Sequence, residues 1–181
     1  ETFGFEFDAT TIGNGMCIRV IDNGSLIEGQ PFGGGILLTN SSTEALVGYK
    51  ENYGNIGAVE FYGCDGVIIG ATDNLDGYKN TGIMASNSCN LTSDYLYNQL
   101  GYINGYNDWY IPAVDEILNL IQTIPEFSSK LDTTETYWTS TEADDIKAFG
   151  IIFNPFAGGW VASSFPKTQS HPFLGVRKQI L

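Results

Sequence analysis

The sequence predicts an α+β domain, and three observations carry that prediction. Beginning at Pro112, the apolar residues Val114, Ile117, Leu118 and Ile121 recur at i, i+3, i+4 and i+7, which places them on one face of a helix. After Pro125 the chain breaks into short runs at 137–141, 147–153, 160–164 and 173–179, bounded by turn residues, and these read as strands. With 181 residues, 43% of them hydrophobic and 16% charged, the chain is long enough to bury a core, which argues against disorder.

Near the N-terminus, Phe3, Phe5 and Phe7 alternate with Gly4, Glu6 and Asp8, the period of a strand with one aromatic face suited to pairing with a neighbour. A second strand is predicted over 16–22, closed by the turn Asn23-Gly24. Gly33-Gly34-Gly35 runs into the apolar stretch Ile36-Leu37-Leu38; no GK[ST] or GxGxxG pattern follows, so the glycines read as a tight bend rather than a phosphate cradle. From Gly63 to about Leu91 the composition turns to Gly, Asn, Asp, Thr and Ser, a long loop of the kind that carries function, and Asp73, Asn74, Asp76 and Tyr78 within it are candidate ligand contacts. A short helix is expected over 92–101, capped by Thr92 or Ser93, with Leu96 and Leu100 on one face and Tyr95 and Tyr97 as packing residues. In the first turn of the Pro112 helix, Asp115 and Glu116 suit the helix dipole, and Glu116 stands where a capping-box Glu reaches back to Ala113.

The charge balance excludes some partners. Twenty-one acidic against 8 basic side chains give a net charge of −13, which repels polyphosphates at long range and makes nucleic acid a poor partner. Such acids either bind a hard cation or, as the simpler reading, form solvated surface. The run from Thr72 to Gly77 resembles the start of an EF-hand loop but has Thr72 at the first ligand position and Ile83 at the twelfth, so no metal is expected. No apolar window is long enough to cross a membrane as a helix. The chain opens on Glu1 rather than Met, and an upstream segment is expected either to have been cleaved or to have been left out of this sequence. Three cysteines, Cys17, Cys64 and Cys89, form no CxxC pair; Cys64 and Cys89 bracket one loop and are either joined or left as buried thiols.

Catalysis finds little support. His171 is the sole histidine, in a turn-like stretch beside Pro172, and no GxSxG motif occurs. The acid pairs Asp115-Glu116 and Asp144-Asp145 are adjacent in sequence and do not face each other across a substrate. Phe156, Trp160 and Phe165 lie in a late, glycine-rich stretch and are either a stacking platform for a ligand or part of the core. Trp109 and Trp138 read as core. Glu116 and Arg177 are expected to pair internally, basic residues being scarce.

The segment from Asn104 to Ile117, NGYNDWYIPAVDEI, resembles the pattern NGYDDWYLPSxDEL of a bacterial and phage domain family typified by the C-terminal domain of a bacterial collagen-like adhesin. Other marks follow in order. Phe32 to Ile36 is similar to the family's GGxI strand, Tyr62-Gly63-Cys64 to its WGC, Asn80-Thr81 with Cys89 to its NT and C loop, Tyr137 to Glu142 to YWSSTE, and Gly175-Val176-Arg177 to its closing strand. The resemblance spans about residues 30 to 181 and implies a C-type-lectin-like fold of small antiparallel sheets, two helices and long loops, related to formylglycine-generating enzymes and phage receptor-binding proteins.

In that frame Trp109, Pro112, Glu116, Trp138, Arg177, Cys64 and Cys89 are structural positions, and the loops 63–91 and 154–172 present the binding face. The family's helix-starting Ser or Thr is Ala113 here, which removes a side-chain cap worth about 0.5–2 kcal/mol unless another group replaces it. The calcium-dependent sugar signatures are missing, since Gln30-Pro31-Phe32 lacks the Asp of QPD and Asn107-Asp108-Trp109 is not WND. No cysteine lies beyond Cys89, where the related oxidases carry their pair. The expectation is therefore an extracellular, cofactor-free and non-enzymatic attachment domain over 31–181, on a phage virion or bacterial surface, binding a host or matrix protein or a glycan. Residues 1–30 would serve docking or oligomer contact, a trimer among the possibilities. The alternatives are a structural fibre or capsid-decoration protein and, more remotely, a formylglycine-generating type of oxidase.

Overall fold

In the computed structural model, residues 26–48, 59–60, 65–87, 105–129 and 131–181 are described. The expected strands at 3–7 and 16–22, the helix at 92–101, the Tyr62-Gly63-Cys64 motif and all three cysteines lie outside those residues. Nine strands and two ten-residue helices are present among the described residues, together with a four-residue helical turn, so the class is α+β. No helix among them is long and apolar enough to cross a membrane.

The strands form three antiparallel groups. β1 (Pro31–Phe32), β2 (Gly35–Asn40), β3 (Glu44–Gly48) and β9 (Val176–Ile180) make one sheet in that order. β4 (Val59–Glu60) pairs with β8 (Ser170–His171), and β5 (Thr136–Glu142), β6 (Lys147–Asn154) and β7 (Gly159–Pro166) make a meander. Between β1 and β2 the chain turns on Gly33 and Gly34, with φ of 55° and 81°, a two-residue turn with both φ values positive that suits the right-handed twist of the paired strands.

Two apolar cores lie side by side, and the chain threads between them at consecutive residues. Leu37, Trp109, Ile111, Trp138 and Phe173 enter one core; Leu38, Tyr110, Tyr137 and Leu174 enter the other. Successive side chains on extended backbone point to opposite faces, so an apolar dipeptide buried on both sides is the mark of a segment sandwiched between cores. This is why the motif residues Trp109-Tyr110-Ile111 and Tyr137-Trp138 are unbroken apolar runs. Two backbone bridges hold the sandwich together, Tyr110 against Val176 and Trp138 against Phe173.

α2 (Val114–Thr123) buries Val114 and packs Ile117, Leu120 and Ile121 into the second core, and the short α3 (Pro125–Ser128) follows. Ala113 supplies no side-chain cap. Thr141 Oγ1 on β5 instead accepts from Val114 N at 3.0 Å, and the Glu116 carboxylate accepts from Ala113 N at 3.2 Å, so the missing hydroxyl is replaced from a neighbouring strand.

The long loop expected over 63–91 contains a helix, α1 (Gly77–Ser86). Hydrophobic periodicity does not reveal it because its inner face is Gly77, Asn80, Thr81 and Met84, with a single large apolar residue. Polar bonds hold that face. Asn80 donates to Asp73 O at 2.6 Å and accepts from Asp73 N at 3.1 Å, while Thr81 Oγ1 accepts from Ile111 N at 3.0 Å. Gly77 lets α1 meet the start of α2: a Cβ there would lie 2.6 Å from Ala113 N and 2.7 Å from the Glu116 carboxylate. In an open helix Gly→Ala stabilises by about 1 kcal/mol. Here Gly77→Ala is expected to destabilise by about 1–3 kcal/mol, read as a lower urea midpoint; a raised midpoint would show that the two helix starts are not in close contact.

Candidate functional site

The described exposed apolar residues fall in separate places, and one group stands on a rigid support. Glu142 at the end of β5 and Lys167 just after β7 are both buried, with Nζ to Oε1 at 2.7 Å and side-chain exposures of 1% and 0%. The Glu142 carboxylate also accepts from Ile69 N at 2.9 Å and Gly70 N at 2.8 Å, and Lys167 Nζ donates to Val67 O at 2.8 Å. One buried ion pair therefore grips the loop 67–70 through the backbone of three of its residues, Val67, Ile69 and Gly70. Further bonds run from Gly66 N to Asp145 O (2.9 Å) and from Lys167 N to Ile146 O (2.9 Å), laying the loop beside the β5–β6 turn. On this support Val67, Ile68 and Ile146 remain 48%, 69% and 48% exposed.

The sequence-predicted ligand contacts take different places. Phe156 is fully exposed at the tip of the β6–β7 hairpin, where Asn154 Oδ1 accepts from Phe156 N at 2.9 Å and Ala157 N at 3.2 Å. Trp160 is half-buried, its ring 5.7 Å from that of Tyr137 and 5.8 Å from that of Phe153. Phe165 packs against the first core, with the His171 ring 5.4 Å away. His171 in turn lies 4.9 Å from the Trp138 ring, and its partial burial lowers its pKa from the ordinary 6.5.

Asp73, Asn74, Asp76 and Tyr78 form the entry to α1. Asp73 Oδ1 accepts from Leu75 N and Asp76 N, both at 3.1 Å, and Oδ2 meets Lys79 Nζ at 3.2 Å. The bond from Leu75 N first, then Lys79, and after it Asp76 N, hold the Asp73 carboxyl below its usual pKa. Asp76 caps the helix by accepting from Lys79 N at 2.9 Å, and Asn74 O accepts from Asp115 N at 2.9 Å. Tyr78 stands exposed with its ring edge-on to Tyr110 at 5.8 Å. Among the described residues no group of three or more His, Cys, Asp or Glu side chains is arranged to hold a metal ion.

The expected pair between Glu116 and Arg177 is not formed. Arg177 and Lys178 are consecutive on β9 and so face opposite sides. Arg177 binds Asp108 through both carboxylate oxygens, at 2.7 and 2.8 Å, donates to Gly33 O at 3.0 Å and lies 3.8 Å over the Tyr106 ring. Glu116 meets Lys178 at 3.9 Å, and also accepts from Tyr110 Oη at 2.7 Å and Gly77 N at 3.1 Å. Burial first, then Glu116, pushes the Tyr110 hydroxyl far above its ordinary pKa of 10.0, so it stays a donor.

The Phe156 tip lies apart from Val67, Ile68 and Ile146. β6 and β7 pair from Lys147↔Pro166 to Asn154↔Gly159, seven residue steps, so Phe156 sits roughly 23 Å along the hairpin from Ile146. Sequence reasoning passed over Val67, Ile68 and Ile146, which show no periodicity; the one available signal was an apolar triplet, Val67-Ile68-Ile69, set between glycines. Neither protein-family models nor curated proteins give a match to the chain.

Lys167→Met leaves the Glu142 charge buried without its counter-ion, and is expected to lower stability by about 3–5 kcal/mol in urea titrations. Adding Glu142→Gln removes the charge and is expected to recover part of that loss, while amide exchange at Ile69 and Gly70 stays faster than in the parent. A single variant as stable as the parent would show that the pair does not hold the loop.

Proposed function

We propose that the chain is a non-enzymatic attachment or receptor-binding module of C-type-lectin-like type, carried outside the cell on a phage virion or bacterial surface, which recognises a host protein or glycan through exposed loop residues. One observation carries this reading: a buried ion pair fixes the backbone of a loop whose aliphatic side chains nevertheless point to solvent. Removing two charges from water is unfavourable, and a loop already ordered before contact loses less entropy on binding. A fold needing only stability would satisfy those backbone groups with water or turn Val67 and Ile68 inward. The family resemblance of the motifs around Trp109, Trp138 and Arg177 supports the same reading.

Beads coated with the full chain, offered to bacterial cells, matrix proteins and a glycan array, are expected to bind at least one surface saturably. Val67→Ser/Ile68→Ser beads should then bind at least tenfold less, with thermal unfolding unchanged. Absence of saturable binding across the panel would overturn the proposal.

A structural role in a fibre or capsid is the second reading, favoured by β7. That strand is an edge among the described residues, eight residues long and without a charged side chain, the kind of edge that accepts another strand. Light scattering of the full chain and of a version starting at Gln30 tests it. A trimer or larger assembly that falls to monomer on truncation supports assembly through residues 1–30, and a monomer in both cases rejects it.

A further inference from the structure

We infer that the exposed aliphatic patch of Val67, Ile68 and Ile146 takes a protein segment with an apolar anchor flanked by Lys or Arg, not a glycan. The inference rests on the attachment reading above and names the partner class for that site. Three hydrogen bonds fix the patch: Gly66 N to Asp145 O and Lys167 N to Ile146 O, both 2.9 Å, and Lys167 Nζ to Val67 O at 2.8 Å. They bring the backbones of two loops, distant in sequence, side by side. Their exposures of 48%, 69% and 48% leave much of each side chain for a partner to cover.

The chemistry of the rim selects the partner. Asp65, Asp144 and Asp145 are all exposed at the borders of the patch, whereas Lys167, the one cation lodged between the two loops among the described residues, is consumed by Glu142. Among the described residues Lys147, half-buried at the start of β6, is the remaining basic residue next to the turn, so acids outnumber it three to one there. In a chain of net charge −13 this border attracts cationic segments and repels acidic ones. The Asp144 carboxylate is held in place, because Oδ1 accepts from Ile146 N at 2.9 Å and Lys147 N at 2.7 Å, while its second oxygen is left to the surface. A sugar fits poorly. Hydroxyls pressed on the aliphatic carbon of Val67, Ile68 and Ile146 would lose water there without gaining a hydrogen-bond partner from those side chains.

The test is selection of a random dodecapeptide display library on the immobilised full chain, followed by affinity measurement with one enriched peptide. Enriched sequences are expected to carry an aliphatic or aromatic residue flanked by at least two Lys or Arg. The synthetic peptide should bind at least tenfold more weakly to Ile68→Ser and to Asp144→Asn/Asp145→Asn, and more weakly in 500 mM than in 50 mM salt, with Phe156→Ser unchanged. Enriched peptides without basic residues, or with affinity indifferent to Asp144→Asn/Asp145→Asn, overturn this inference and leave the attachment reading standing. Peptides indifferent to Ile68→Ser, or a library giving no binder, also overturn it. Bead binding in the earlier assay then decides the attachment reading separately, since a glycan ligand would appear there and not here.

Discussion

The contact between Glu142 and Lys167 ties together parts of the chain that secondary structure alone leaves separate. Glu142 closes β5, Lys167 follows β7, and the loop 67–70 belongs to the region before α1, yet all three meet at one carboxylate and one ammonium group. Neither group is tolerable there alone. A carboxylate accepting from Ile69 N and Gly70 N and from an ammonium group has its lone pairs occupied, and a lysine donating to a carboxylate and to Val67 O keeps its charge answered in a place water does not reach. Replacing the pair by apolar side chains would leave those backbone groups without partners. The ion pair is thus a constraint on loop geometry as much as a contribution to stability.

A second set of polar contacts does the same close by, where Thr141, the neighbour of Glu142, meets the start of α2. Glu116 accepts from the start of its own helix, from the start of α1 and from the Tyr110 hydroxyl, so one carboxylate brings two helix beginnings together. Both helices present positive dipole ends and free N–H groups there, which is where a negative charge is most useful. On the opposite side of β9, Arg177 joins Asp108 to the carbonyl of Gly33 in the β1–β2 turn, with the Tyr106 ring beneath it. Acidic residues are abundant in this protein and basic ones few, and Lys167 and Arg177 are spent in the interior. The surface is left correspondingly negative.

Much of the framework was readable from the residues. The face of α2 announced itself by period, the meander from Thr136 to Pro166 by short apolar runs between turns, and the Gly33-Gly34 bend by its glycines. What escaped notice depended on polar rather than apolar side chains. α1 is held by Asn80 and Thr81, which look like loop residues in a sequence, and its cap, Asp76, is one of the residues the sequence offers as a ligand contact. The partner of Arg177 was misjudged because strand alternation, which sends residue 178 and not 177 toward Glu116, requires the exact register of β9. The site itself was half legible: a functional loop was expected over 63–91, but its exposed aliphatic residues, and the separation of Phe156 from them, follow from the hairpin's length and from which end Lys167 occupies.

The β6–β7 hairpin also divides the molecule's surface by how freely it can vary. At the Ile146 end, backbone and buried charge are locked together, so a change in residues 66–70 or 143–147 is felt through Glu142. At the far tip, the turn from Asn154 to Gly159 is organised by its own Asn154 side chain and by local backbone bonds, and nothing in the interior depends on Phe156. Evolution can rewrite or lengthen that tip without renegotiating the core. For the same reason the tip is the natural place to graft a fluorophore, an epitope or an immobilisation tag, which would present the opposite end of the domain outward.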